Sequence, residues 1–263
     1  MSMSPADQLA RDGFYLAKSV IPEEHLEKIE NEVKGLSKSF GVEGDNYPSI
    51  WNNATNVSRE TAGLIYNGAK RLPSVVQLPN KGVIQFAESH LNVKLPALVD
   101  VNFRIDAPQE DKYAFDWHQD YWFSVCSPLA LVAWTPLVAT DSEIGGVEVY
   151  PQSDESHKIY KVKRNQVYNS YSSSVLLDES LPSSPTLTPS VEPGDCLFFR
   201  FHMLHRSIPN ISKNRQRWTI QSRIADFADP EFKYHEFKPG IVTKDFISYL
   251  DDEKVAKYNA TRK

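Results

Sequence analysis

Cysteine is scarce in this chain, with two residues, Cys126 and Cys196, among 263. Two thiols make no disulfide framework in a chain of this length, so a packed core must hold the fold, and both are expected as buried, reduced thiols. No apolar run approaches a membrane span, and Met1 to Arg11 holds no apolar stretch of signal-peptide length. The expectation is a soluble, cytoplasmic protein with no membrane partner. Long basic runs are missing as well, and the net charge is −5, which removes the electrostatic footprint of a nucleic-acid binder. A glycine-rich phosphate loop and a Gly-x-Ser-x-Gly elbow are both absent, so nucleotide cradling and serine hydrolysis lack an anchor. Gly145-Gly146 reads as a turn.

What is present is a hydrophobic content of 41%, enough for one large core. Gly13 to Ile21 reads as a short strand. After Pro22-Glu23-Glu24, the residues Leu26, Ile29, Val33 and Leu36 recur at helical spacing, predicting a helix from Glu23 to Lys38 with one apolar face. Gly41 to Asn56 is polar with scattered aromatics and reads as a loop, either a lid or a surface excursion. Helical patterns return at Ser58 to Arg71 and Asn80 to Leu91. From Leu95 the period changes to two, with Val99, Val101, Phe103 and Ile105 alternating with polar residues as in a half-buried strand.

Short strands are expected at Leu129 to Leu137, Val147 to Tyr150, Cys196 to Phe201 and Arg217 to Ile224. Helices first and irregularly spaced strands afterwards predict a mainly β fold with helical additions, its core a jelly roll. We expect a single domain: a helical region over about 1–94, the jelly-roll core over about 95–226, and an extension over about 227–263. Asn165 to Pro193, rich in Ser, Tyr, Asn and Pro, reads as an active-site cover or a plain surface loop. Thr243 to Lys263 reads as a terminal helix.

The stretch that carries chemistry is Trp117-His118-Gln119-Asp120. An imidazole and a carboxylate two residues apart reach one metal ion if the backbone bends there. A second imidazole from a distant strand completes a facial set that leaves coordination positions open, the arrangement of non-haem iron(II) oxygenases. Both His202 and His205 follow the apolar run Leu197-Phe198-Phe199 and offer that imidazole. On the last strand, Arg217, Thr219, Gln221 and Arg223 share one face while Trp218, Ile220 and Ile224 take the other.

Several motifs occur in one order. They are His118-Gln119-Asp120, Leu131 through Trp134-Thr135-Pro136-Leu137, Asp141 with Gly145-Gly146, Val149 to Pro151 with Ser156-His157, Pro193-Gly194-Asp195, His205 to Asn210, and Arg217-Trp218-Thr219. In these the chain resembles the phytanoyl-CoA dioxygenase family of iron(II)/2-oxoglutarate oxygenases, over roughly residues 95 to 226. It departs from the family pattern in a longer turn at Pro151 to His157 and in an Arg217 set one residue further from His205. The resemblance implies a cupin-like double-stranded β-helix and a metal triad of His118, Asp120 and His205, with His205 chosen over His202 by its position before Ser207, Pro209 and Asn210. It also implies Arg217 as the anchor of the far carboxylate of 2-oxoglutarate, with Arg215 the rival, and Gln119, Trp134 and Ser207 as further contacts.

A guanidinium suits that anchor because its fork donates two parallel hydrogen bonds and stays charged. For Trp134, a pocket wall and an ordinary core position remain equal readings. The activity implied is a dioxygenase using Fe(II), 2-oxoglutarate and dioxygen to hydroxylate a small metabolite, with release of succinate and carbon dioxide. Related halogenases lack the carboxylate kept here as Asp120, which favours hydroxylation; desaturation stays open, as do the substrate and the oligomeric state. Tyr121, Trp122 and Phe123, or the cations Lys158, Lys161, Lys163 and Arg164, are candidates for substrate contact. The alternative is a non-enzymatic small-molecule or sugar-binding jelly roll that retains a metal site.

Overall fold

The computed structural model describes residues 3–108, 110, 114–122, 129–154, 157–160, 162–164, 173–175 and 185–229. The N-terminal part is helical. Helix α1 spans Pro5–Asp12, strand β1 Phe14–Ala17, and then come α2 (Glu23–Ser39), α3 (Tyr47–Val57), α4 (Arg59–Ala69), α5 (Pro73–Gln77) and α6 (Val83–His90). The expected apolar stripe of α2 is real, with Ile29 and Val33 fully buried.

The segment read as a loop at Gly41 to Asn56 contains α3 instead. Its start is set by a capping box, in which the Asn46 side chain accepts from the Ser49 amide and Ser49 answers the Asn46 amide. Pro48 in the first turn adds a preset backbone angle. Tyr47, Ile50, Trp51 and Ala54 then fall on one buried face. This face packs on the body as core, and no lid is formed by it.

Strands follow: β2 (Pro96–Asp106), β3 (Leu131–Pro136), β4 (Val147–Val149), β5 (Val162–Arg164), β6 (Ser173–Val175), β7 (Cys196–Arg200), β8 (His205–Ser207) and β9 (Arg217–Asp226). Four of them join β1 in a five-stranded antiparallel sheet in the order β1-β7-β3-β9-β2. A second antiparallel array pairs β4 with β8 and is extended by bridges of His118 to His205 and of Val149 to Leu187. Strands β5 and β6 pair with each other.

The five-stranded sheet is buried on both faces. Against the helices lie Phe103, Leu131, Ala133, Phe198, Trp218 and Ile220, in one cluster with Ile29, Ile50 and Ile65. Against the second array lie Val132, Trp134, Leu197 and Phe199, in one cluster with Val147, Val149 and Met203. Strict alternation along β3, β7 and β9 sorts the side chains between these two layers. The architecture is therefore mixed, with helices covering one whole sheet face, and the expectation of a mainly β chain understated the helical layer.

One strand breaks the expected alternation. Between Leu98 and Asp100 the β2–β9 register shifts, so Val99 is an extra residue in the ladder. A bulge of this kind re-aims the side chains that follow. Val99 consequently packs with the second layer, while Val101 and Ile105 pack on the helical side beside Phe103. Cys196 is a buried free thiol, as expected, and its burial pushes the thiol pKa up. No helix among the described residues is long and apolar enough to cross a membrane. Cys126, Phe123, the expected terminal helix and most of the Asn165 to Pro193 segment lie outside the described residues, as do the side chains of Trp122, Lys161, Lys163 and Arg164.

Candidate metal centre

The second array brings the triad together. Backbone bonds run both ways between His118 and His205, from each amide to the other's carbonyl at 3.0 and 3.1 Å, and set the two imidazoles side by side with ring centroids 4.1 Å apart. Directly after His118 the chain turns into a single 3-10 turn, Asp120–Trp122. That bend swings the Asp120 carboxylate back toward the imidazoles. Oδ1 of Asp120 lies 3.5 Å from Nε2 of His118 and 3.6 Å from Nε2 of His205. The potential ligand atoms all lie within 4.8 Å of one another, and all three residues are buried.

The far side of each ring is already committed. Nδ1 of His118 is 2.7 Å from the Asp116 carbonyl, and Nδ1 of His205 is 3.0 Å from the Met203 carbonyl. A carbonyl only accepts, so each Nδ1 carries the hydrogen and each Nε2 presents its lone pair inward. For His205, burial and then the neighbouring His118 push the pKa down to about 3, which keeps its ring neutral. Burial works against the charge of Asp120, yet the Arg223 guanidinium outweighs it and holds the carboxyl well below its usual range. Nε of Arg223 donates to Asp120 Oδ2 at 2.8 Å. Two imidazole Nε2 atoms and an ionised carboxylate form a donor set that fits a divalent metal ion.

The triad opens onto a cavity of about 180 Å³. Val132, Trp134, Val147 and Phe199 wall it with apolar surface, and Asn102, Ser207, Gln221 and Arg223 line it with polar groups. Trp134 and Ser207, expected from sequence as contacts of 2-oxoglutarate, both line this cavity. Trp134 serves both of its readings, because it is also part of the inter-sheet cluster.

Gln119 does not reach the cavity. Its side chain points into the segment behind His118 and Asp120. There its amide nitrogen donates to the carbonyls of Lys158 and His202, and its oxygen accepts from the Tyr160 amide at 2.9 Å. Gln119 therefore braces the segment behind the ligands. His202 stays outside the triad, fully buried, its ring 4.2 Å from that of Tyr121. Lys158 lies over the Tyr160 ring.

Neither candidate anchor lines the cavity. Arg215 turns to the surface, bonded to Asp141 at 2.7 Å and Glu143 at 2.6 Å. Arg217 is buried on the interior face of β9, along which Gln221 and Arg223 follow. Its Nη1 donates to the carbonyls of Ile208 and Ile144 at 2.8 and 3.2 Å, and its Nε and Nη2 face Asp106 Oδ2 at 3.3 and 3.2 Å. Burial opposes the Asp106 charge, but Arg104 and Arg217 hold that carboxyl below its usual range. The fork is therefore largely engaged, and one Nη2 hydrogen has no acceptor among the described residues. Beside it on the same face, the Thr219 hydroxyl is buried with no partner among the described residues.

Gly145 shapes the rim of this region. It closes the turn capped by Asp141 with a φ of +72°, and a Cβ there would stand 2.7 Å from the Ile208 carbonyl oxygen. Of the groups near the metal site, Arg223, Asp100, Asn102 and Gln221 had no role assigned from sequence. Alternation placed Gln221 and Arg223 on the polar face, but their partners come from β2, more than a hundred residues earlier.

The pattern of the phytanoyl-CoA dioxygenase (PhyH) family matches residues 9–218. A 1-deoxypentalenic acid 11-beta-hydroxylase from Streptomyces exfoliatus is 34% identical over 129 residues, a match spanning 44% of this chain and 42% of that protein. The chain thus matches less than half the length of this relative. Among solved structures, the non-heme alpha ketoglutarate dependent carbocyclase SnoK from nogalamycin biosynthesis superposes with a TM-score of 0.55 at 15% identity, covering 93% of this chain and 94% of its own. The epimerase SnoN, solved in complex with Fe3+, alpha ketoglutarate and nogalamycin RO, gives a TM-score of 0.50 at 17% identity, covering 84% of this chain and 82% of its own. At such identities the two structures speak to the fold.

Proposed function

Because the chain belongs to the phytanoyl-CoA dioxygenase family, we propose that it is an iron(II)- and 2-oxoglutarate-dependent dioxygenase that hydroxylates a small metabolite with release of succinate and carbon dioxide. The observation that carries this reading is the convergence of His118, Asp120 and His205 on one buried point at the end of a cavity. The five-stranded sheet and the β4–β8 array, with one apolar cluster between them, are read as the two halves of a double-stranded β-helix. Residues 1–263 are read as a single domain.

Nε2 of His118, Nε2 of His205 and Oδ1 of Asp120 would hold the iron. Bound iron(II), with 2-oxoglutarate and dioxygen, supplies the oxidising power for attack on an unactivated C–H bond. The protein's part is position and exclusion of water. The Nδ1–H donors of both histidines lock ring orientation, and Val132, Trp134 and Phe199 keep the cavity wall dry. We assign the far carboxylate of 2-oxoglutarate to Nη2 of Arg217 and the Thr219 hydroxyl, which lie on β9 next to its cavity-lining residues Gln221 and Arg223, with Ser207 in the cavity lining. This replaces the two-pronged anchor expected from sequence with one guanidinium bond and one hydroxyl bond.

The test is succinate formation. Protein supplied with iron(II), dioxygen and 2-oxoglutarate is expected to release succinate slowly, and faster once a metabolite library contains the substrate. A His205→Ala variant should give none. Equal succinate from both proteins, or none from the wild type with iron bound under every metabolite tried, would favour a binding protein.

A further inference from the structure

The carboxylate of the triad is shared unequally between its two oxygens. Oδ1 faces both imidazole Nε2 atoms, whereas Oδ2 accepts from Arg223 Nε at 2.8 Å. Arg223 is itself tied down, because its Nη1 reaches Asp100 Oδ2 at 3.3 Å. The bulge at Val99 makes this possible. In an unbroken register Val99 would stand opposite Arg223, and the extra residue puts Asp100 there instead. A strand defect has therefore delivered a carboxylate to steady the one cation that touches Asp120 among the described residues.

A guanidinium beside a divalent metal is electrostatically unfavourable, since both are positive. Its placement needs another benefit, and the geometry supplies one. A carboxylate with both oxygens free can chelate a metal and occupy two of its positions, while one with Oδ2 in a charge-assisted hydrogen bond offers only Oδ1. Resting on the function proposed above, we propose that Arg223 is a positioning residue that restricts Asp120 to a single metal contact. The position so kept open is one that the keto acid or dioxygen requires.

The experiment uses cobalt(II) in place of iron under anaerobic conditions, with the wild type, Arg223→Met, Arg223→Lys and Asp100→Asn. Arg223→Met should bind cobalt(II) at least as tightly as the wild type, having lost a repulsive charge and gained a second ligand oxygen. Its cobalt absorption spectrum should report a higher protein-derived coordination number. Loss of one open position should weaken 2-oxoglutarate binding to the cobalt-loaded protein by roughly tenfold or more, the worth of a charge-assisted contact. Arg223→Lys keeps a charged donor and should recover part of that loss.

Asp100→Asn loosens Arg223 without removing it, and should show the same split at about threefold, which keeps the test decisive even if Arg223→Met folds poorly. Parallel loss of cobalt and 2-oxoglutarate affinity, or an unchanged cobalt spectrum with unchanged 2-oxoglutarate binding, would overturn the proposal. A wild type that takes up cobalt(II) but no 2-oxoglutarate, or no cobalt at all, contradicts the function proposed above and this inference with it. The two failures are therefore distinguishable.

Discussion

Strands β2 and β9 present two faces of opposite character. Toward the helices stand Phe103, Trp218, Ile220 and Ile224, none more than 1% exposed, with Trp218 packed on Tyr47 at 4.8 Å and edge-on to Phe103 at 5.8 Å. Toward the second array the same two strands set Asp100 opposite Arg223, Asn102 opposite Gln221, Arg104 opposite Thr219 and Asp106 opposite Arg217. One pair of strands thus separates stability from chemistry by the alternation of its side chains. The polar face costs desolvation, and it is tolerable because its charges are matched across the ladder, Arg223 to Asp100 and Asp120, Arg217 and Arg104 to Asp106.

If the division is real, each face should fail in its own way. The largest effect on folding is expected from Trp218→Ala, which empties the centre of the helical layer and should cost about 3–5 kcal/mol in denaturant unfolding. Metal affinity of the protein that remains folded should be nearly unchanged. On the other face, Asp120→Asn should abolish succinate formation and weaken metal binding, because a neutral amide is a poor ligand for a hard divalent ion. Its unfolding midpoint should move far less than that of Trp218→Ala.

A smaller effect sharpens the assignment of the far carboxylate. Thr219→Val keeps shape and removes the hydroxyl, so 2-oxoglutarate affinity should fall about tenfold in an anaerobic titration, with iron affinity held. Stability should stay level or rise, since the lost hydroxyl has no partner among the described residues. Arg215→Lys should be smallest of all. Its surface bonds to Asp141 and Glu143 are of the exposed kind worth about 0–1 kcal/mol, and it should leave 2-oxoglutarate binding within about twofold.

Local pattern made much of this legible. The stripe of α2, the strands, and the two-sided character of β9 follow from period alone, and the metal triad follows from one short motif joined to a distant histidine by resemblance. Helix α3 was hidden because its signal lies in the Asn46–Ser49 capping exchange, and its neighbours are polar enough to look like a loop. The mixed architecture was understated for the same reason. Val99 was placed on the wrong face because a bulge is set by pairing with β9, which a strand's own residues do not reveal.

Site details failed where they depend on distant partners. Gln119 sits between two ligands in sequence, yet its amide bonds to the backbone of Lys158, Tyr160 and His202 behind them. Arg217 was legible as an interior arginine, but its engagement with Asp106 depends on a partner 111 residues earlier. Arg223 meets Asp120 across 103 residues and Asp100 across 123. Side-chain direction is written locally, and charge pairing in a sheet is written in its register.

The most direct measurement is anaerobic iron(II) titration of the wild type and of His205→Ala, with thermal unfolding recorded before and after metal. The wild type is expected to bind one iron per chain and to unfold at a higher temperature with it, since a ligand that binds only the folded state stabilises that state. His205→Ala should fold without metal much as the wild type does, and lose the metal-dependent rise. An equal rise in both proteins would contradict a metal centre built on His118, Asp120 and His205.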